Sequence, residues 1–174
     1  MAQLSGPAPD GIADVHLRPS RRRANPGTLI LLAAVVAVAL LGLLGGGRSP
    51  ARTADSEAAR LTIHAPATLR NGTIFEMRVR IEPKRPVDEL VIALSPELWR
   101  DITINATTPE AEKEAFEDGM VRLTFGKAAP GEPVLIKFDG QINPALIGRN
   151  GGEIAVYDGK ARLVALPVQM RVLP

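Results

Sequence analysis

One apolar run, Thr28–Gly45 (TLILLAAVVAVALLGLLG), contains no charged side chain and constrains this chain more than any other stretch. Wound as a helix at ~1.5 Å per residue, it would be ~27 Å long, close to the ~30 Å hydrocarbon core of a bilayer. Arg18, Arg21, Arg22 and Arg23 precede it, whereas only Arg48 and Arg52 follow before Asp55 and Glu57. That bias predicts a single-pass signal anchor with the N-terminus in the cytoplasm and the bulk of the chain outside, and the richness in Ala, Gly, Pro and Arg points to a bacterial inner membrane. A cleaved signal peptide fits less well. Its apolar region would be too long, Gly45 and Gly47 make a weak cleavage pattern, and Ser56 and Ala58 lie too far on. Ser20–Arg23 lacks the apolar residues that follow a twin-arginine signal, since Ala24-Asn25-Pro26 stand there. Two small-xxx-small pairs, Ala33 with Ala37 and Gly42 with Gly46, would let a second helix approach closely.

The run divides the chain into four parts. Residues 1–27, with prolines at 7, 9 and 19 and no apolar periodicity, read as a disordered cytoplasmic tail. Residues 28–45 are the anchor. Residues 46–59, rich in glycine and small side chains, read as a flexible linker, and 60–174 as one folded domain. From Arg60 onward there are fifteen basic and fifteen acidic residues, so the net charge of +2 arises entirely before the domain. A neutral domain with few aromatics gives no reason to expect nucleic acid as a partner. The absence of cysteine removes disulfides, thiol nucleophiles and thiolate metal sites together.

Beyond Arg60 the hydrophobic period is two, the signature of strands. Phe75, Met77, Val79 and Ile81 alternate with Glu76, Arg78, Arg80 and Glu82. Asp158-Gly159 between two alternating runs is a hairpin signal. Thr108-Pro109-Glu110 reads as a helix start and Gly119 as its stop, predicting a helix over Pro109–Glu117 with Phe116 anchored in the core. Residues 139–152 read as a long polar loop, and Pro167 marks an edge or bulged strand. The pattern predicts an all-β fold, an antiparallel immunoglobulin-like β-sandwich of seven or eight strands with one short helix, preceded by a single transmembrane helix. The layout resembles bacterial single-pass membrane proteins that display an immunoglobulin- or fibronectin-like sandwich outside the membrane. That resemblance is one of fold, covers Arg60 onward and implies no activity for any residue here.

Catalytic chemistry finds little support. His16 and His64 lie on opposite sides of the anchor, and no serine sits in a nucleophile elbow. One domain histidine without cysteine argues against zinc. Asp139, Gln141 and Asn143 alternate beside Gly140, but a single carboxylate is too few for calcium. The run Glu110, Glu112, Glu114, Glu117 and Asp118, broken by Lys113, reads as a solvated face or an acidic docking surface. The reading is therefore a non-enzymatic, cofactor-free module that binds another membrane or envelope protein, with homo-oligomers open. Its candidate contacts are Trp99, Asp139, Gln141, Asn143, Asn150 and Pro167. Two alternatives remain: an accessory subunit that associates through the helix, and an enzyme that uses carboxylates or Tyr157 in a manner the sequence does not display.

Overall fold

A computed structural model describes residues 25–42 and 49–174. The arginines at 18, 21, 22 and 23, Gly46, the tail and the first part of the linker lie outside the described residues. Helix α1 spans Pro26–Leu40, fifteen residues without a charge and with none of them buried. Ala33 and Ala37 lie on it, whereas Gly42 follows in a turn with a φ of 71°. No helix among the described residues is long and apolar enough to cross a membrane.

The remaining elements are β1 (Ala51–Asp55), β2 (Ala59–His64), β3 (Thr68–Arg70), β4 (Ile74–Pro83), β5 (Leu90–Leu94), helix α2 (Pro96–Trp99), β6 (Ile102–Thr108), β7 (Lys113–Glu117), β8 (Met120–Thr124), β9 (Val134–Ile142), β10 (Gly148–Asp158) and β11 (Ala161–Leu173). They form two sheets, one of order β1-β2-β4-β9-β6 and one of order β3-β11-β10-β5-β8-β7. Every pairing is antiparallel except that of β11 with β3. The alternation read from β4 is realised: Phe75, Met77, Val79 and Ile81 are buried, and the residues between them face solvent. Their partners on β9, Ile136 and Phe138, and the inward residues of β5, β10 and β11 complete one continuous core. That core is the inner face of both sheets, as a two-layer sandwich requires.

Four expectations need correction. Among the described residues the strands number eleven rather than seven or eight, because short edge strands lack a long alternating run to betray them. The linker is shorter than 46–59: β1 pairs from Ala51 to Asp55 along β2, so that part of the chain is sheet. No helix forms over Pro109–Glu117. Lys113–Glu117 is strand β7, paired to β8 through Asp118-Gly119, whose φ angles of 53° and 74° are both left-handed. Two positive φ values suit a two-residue hairpin turn whose twist matches the strands. Phe116 therefore leaves the core and stands 67% exposed. The long polar loop is also mostly sheet, since β9 runs on to Ile142 and β10 begins at Gly148. Pro167 fares better. β11 lies between β10 and β3, but β3 reaches only Arg171–Leu173, so at Pro167 no strand pairs on that side and the Arg52 guanidinium donates to the Pro167 carbonyl at 3.5 Å. The register shift falls at Val156/Tyr157 instead.

A surface clasp holds β1 in place. The Asp55 carboxylate accepts hydrogen bonds from Lys84 Nζ at 2.6 Å and from Arg60 Nη2 at 3.1 Å. Lys84 first and Arg60 second pull the Asp55 pKa below its ordinary value of 3.8, while Asp55 raises that of Arg60. A carboxyl lowered on folding contributes above its unfolded pKa and loses that contribution as pH falls through the folded value. Amide exchange at β1, corrected for intrinsic rates, should speed up relative to β4 as pH drops below 3.8, and Asp55→Asn should remove that dependence. Unchanged exchange in the variant would show that the clasp does not hold the strand.

Candidate functional site

The sequence Ser95-Pro96-Glu97 gives helix α2 its start: proline fits the first helical position and an acid suits the first turn. The Ser95 side chain makes no cap bond to the helix. Its Oγ instead accepts the Glu153 amide at 2.8 Å, while the Ser95 amide donates to the Glu153 carbonyl at 3.0 Å. A second tie comes from Asn150, which is 4% exposed and donates from Nδ2 to the Leu98 carbonyl at 2.8 Å. A short helix leaves its carbonyls unpaired, and here a side chain from another strand supplies the donor. Between these ties lies Gly152, where a Cβ would stand 2.0 Å from Ser95 Oγ and 3.0 Å from the Leu98 amide nitrogen. Only the absence of a side chain allows α2 to rest directly on β10.

The pinned helix presents Trp99. Its ring meets the buried Phe138 with centroids 5.7 Å apart and planes at 47°. Its indole Nε1 is buried without a hydrogen-bond partner. Trp99 also lines an open cleft of about 420 Å³ with Pro96, Glu97, Arg100 and Val121. A tryptophan with one face in the core and another lining a cleft is held at little entropic cost, which suits it to contact a partner.

The structure brings three candidate contacts together and leaves three apart. Trp99, Asn150 and Asn143 surround α2 and its exit. Asn143 donates its amide to the Asp101 carbonyl at 2.9 Å and accepts the Thr103 hydroxyl at 3.1 Å. Asn150 is a strut and not a contact surface, because its side chain is spent on Leu98. Asp139 and Gln141 lie on the solvent face of β9, between β4 and β6, and Pro167 is one strand beyond Glu153 on β11. Arg100 and Val121, which share the cleft with Trp99, were not foreseen. The Ser-Pro-Glu start could have announced α2, since the same signal was read at Thr108-Pro109-Glu110.

Replacing Asn150 with alanine should cost about 1–3 kcal/mol, the penalty for leaving a buried carbonyl unmade. Urea denaturation of the full chain in detergent checks this; a midpoint equal to that of the parent would show that Leu98 needs no donor.

Other polar groups are satisfied elsewhere. Arg122, 8% exposed, donates to the Gly159 carbonyl at 2.5 Å and lies 4.5 Å above the Tyr157 ring. That arrangement gives a covered cation an acceptor and an electron-rich face, and commits Tyr157 to packing. Arg60, Arg78 and Arg80 pair with Asp55, Glu76 and Glu82 across the outer face of β2 and β4. His64 faces outward on β2, opposite Arg78. Among the described residues no group of three or more histidines and carboxylates is placed to hold a metal ion.

No protein-family model matches the chain, and no curated protein matches it. Some solved structures are similar in part. CaCohA2 of Clostridium acetobutylicum is 14% identical, with 62% of this chain and 86% of that one covered at a TM-score of 0.42. A non-cellulosomal cohesin of Archaeoglobus fulgidus is 13% identical, covering 62% and 86% at 0.38. ChBD2 of Thermococcus kodakarensis is 15% identical, covering 67% and 93% at 0.35. Likeness at this level is confined to the fold and says nothing of what this chain binds.

Proposed function

We propose that this chain is a membrane-tethered, non-enzymatic β-sandwich that binds another protein of a bacterial envelope. The observation that carries the binding role is the α2 corner. A helix of one turn is fixed from three directions, by Ser95, Asn150 and Gly152, and the residue it holds out is the only tryptophan. Such pre-organisation lowers the ordering cost of association. The cleft is framed by one acid, one base and apolar surface, a composition suited to a protein contact.

The apolar character of α1 and of the run it belongs to supports the tether. Fifteen uncharged residues, apolar without a break from Leu29 to Leu40 and with none buried, require a cover, and the apolar run continues in sequence to Gly45. Lipid meets that need, and the four arginines at 18–23 favour a cytoplasmic N-terminus.

The test is crosslinking in intact native membranes, with purification through a C-terminal tag. Parent protein should give one dominant adduct. Trp99→Ala, and independently Arg100→Asp, should reduce it about tenfold, the loss expected for a central contact. Asp139→Ala should leave it intact. Equal adducts in all four proteins, or release of the parent from membranes by alkaline carbonate, would overturn the binding site or the tether respectively.

A further inference from the structure

We infer that β7 is an open docking edge, and that its partner is an extended basic segment added as a further strand to the six-stranded sheet. The inference rests on the reading of the domain as a protein-binding module.

β7 ends its sheet, so one side of its backbone pairs with β8 and the other presents unpaired peptide groups. Folded proteins blunt such edges by shortness, bulges or charge. The other edges here follow that rule. β3 has three residues, β6 is broken by an irregularity after Ile104, and β1 carries no large apolar side chain. β7 is regular over five residues and carries Phe116, 67% exposed, which no packing requirement places there. Phe116 stands directly across from Val121, which lines the Trp99 cleft. The apolar surface thus continues from the cleft to the open edge.

Charge selects the occupant. Glu110, Glu112, Glu114, Glu117 and Asp118 flank or lie on β7, against Lys113 alone. Antiparallel pairing of β7 with a second copy would set two such acidic segments face to face, which electrostatics oppose. Glu114 and Phe116 share one face of β7, and Ala115 shares the other with Lys113 and Glu117. A strand of alternating apolar and basic residues would instead set its cations beside Glu114 with their alkyl stems over Phe116, and its apolar groups beside Ala115, while its backbone completes the ladder.

The experiment uses the full chain in a non-ionic detergent and three peptides: acetyl-KVKVKVK-amide, its glutamate counterpart EVEVEVE, and the lysine peptide N-methylated on the amides of one edge. Calorimetric titration at about 50 mM salt should show binding of the lysine peptide alone, weakened at about 300 mM salt. Phe116→Ser and the double variant Glu114→Lys, Glu117→Lys should each weaken it about tenfold. Phe116 and both glutamates are exposed, so these variants keep the core intact. Equal binding of the N-methylated peptide, indifference to Phe116→Ser, or no binding at all would overturn the inference. So would a dimer in sedimentation that Phe116→Ser dissolves, because the edge would then belong to a second copy. The two readings fail separately. Membrane adducts lost in Trp99→Ala but kept in Phe116→Ser leave the binding module standing without this edge. Adducts indifferent to both substitutions remove the module as well.

Discussion

Gly152→Ala should destabilise the protein by about 3 kcal/mol, far beyond the effect of an ordinary glycine-to-alanine change in a strand. The new Cβ would lie 2.0 Å from Ser95 Oγ, 2.9 Å from Leu98 Cβ and 3.0 Å from the Leu98 nitrogen. The serine hydroxyl can rotate away, but only by releasing the Glu153 amide, at a cost of about 1 kcal/mol. The Leu98 contacts involve backbone and a fully buried side chain, so they yield only if α2 lifts from β10. Overpacking of this kind costs about 1–3 kcal/mol by itself. Urea denaturation should therefore show a lower midpoint with an unchanged slope. A midpoint within experimental error of the parent would mean that α2 does not rest on β10 as described.

The second large effect is Phe138→Ala. Phe138 is 1% exposed, sits at the centre of β9 and packs against both the core and Trp99. Removing a buried phenylalanine ring costs about 3–5 kcal/mol through lost transfer energy and the cavity left behind. The variant has a second readout. Trp99 is the only tryptophan, so the emission reports on the surroundings of this one ring. With the Phe138 ring gone, water gains access to the indole face and the emission should move to longer wavelength in the folded protein. Unchanged emission beside a large loss of stability would separate the core role of Phe138 from any role in seating Trp99.

Legibility in the sequence followed the reach of each signal. Phe75 to Ile81 announces its strand because alternation is local and one face is fully buried. Asp158-Gly159 announces its hairpin for the same reason. The stretch Glu110–Asp118 misleads because Thr-Pro-Glu serves equally as a helix start and as a strand exit, and because an edge strand tolerates acids that a central strand would not. The competing signal was present: Asp118-Gly119 is the same dipeptide as Asp158-Gly159, and both lie at two-residue reversals, although Asp118-Gly119 forms its turn outright whereas Asp158 ends its strand and Gly159-Lys160 makes the turn. The binding corner was half visible. Trp99 stands out as the lone tryptophan, but its support does not. Asn150 donates to a carbonyl on a helix half a domain earlier in sequence, and the Gly151-Gly152 pair looks like loop chemistry until α2 is placed upon it. Long-range contacts of this sort leave no periodic trace.

The pairing of β1 has a mechanical consequence. Tension on the chain ahead of Ala51 would arrive at the open end of the β1–β2 hairpin, where Ala51 faces His64. Ladder bonds loaded from that end part in succession and not together, so β1 peels at low force while the sandwich behind it stays closed. The closed end is fastened last, by Asp55 between Lys84 and Arg60. Release of the strand would pay out about 17 Å of slack at ~3.3 Å per residue. In a tethered chain that slack would serve as stored reach, drawn out under load and rewound when the load is gone.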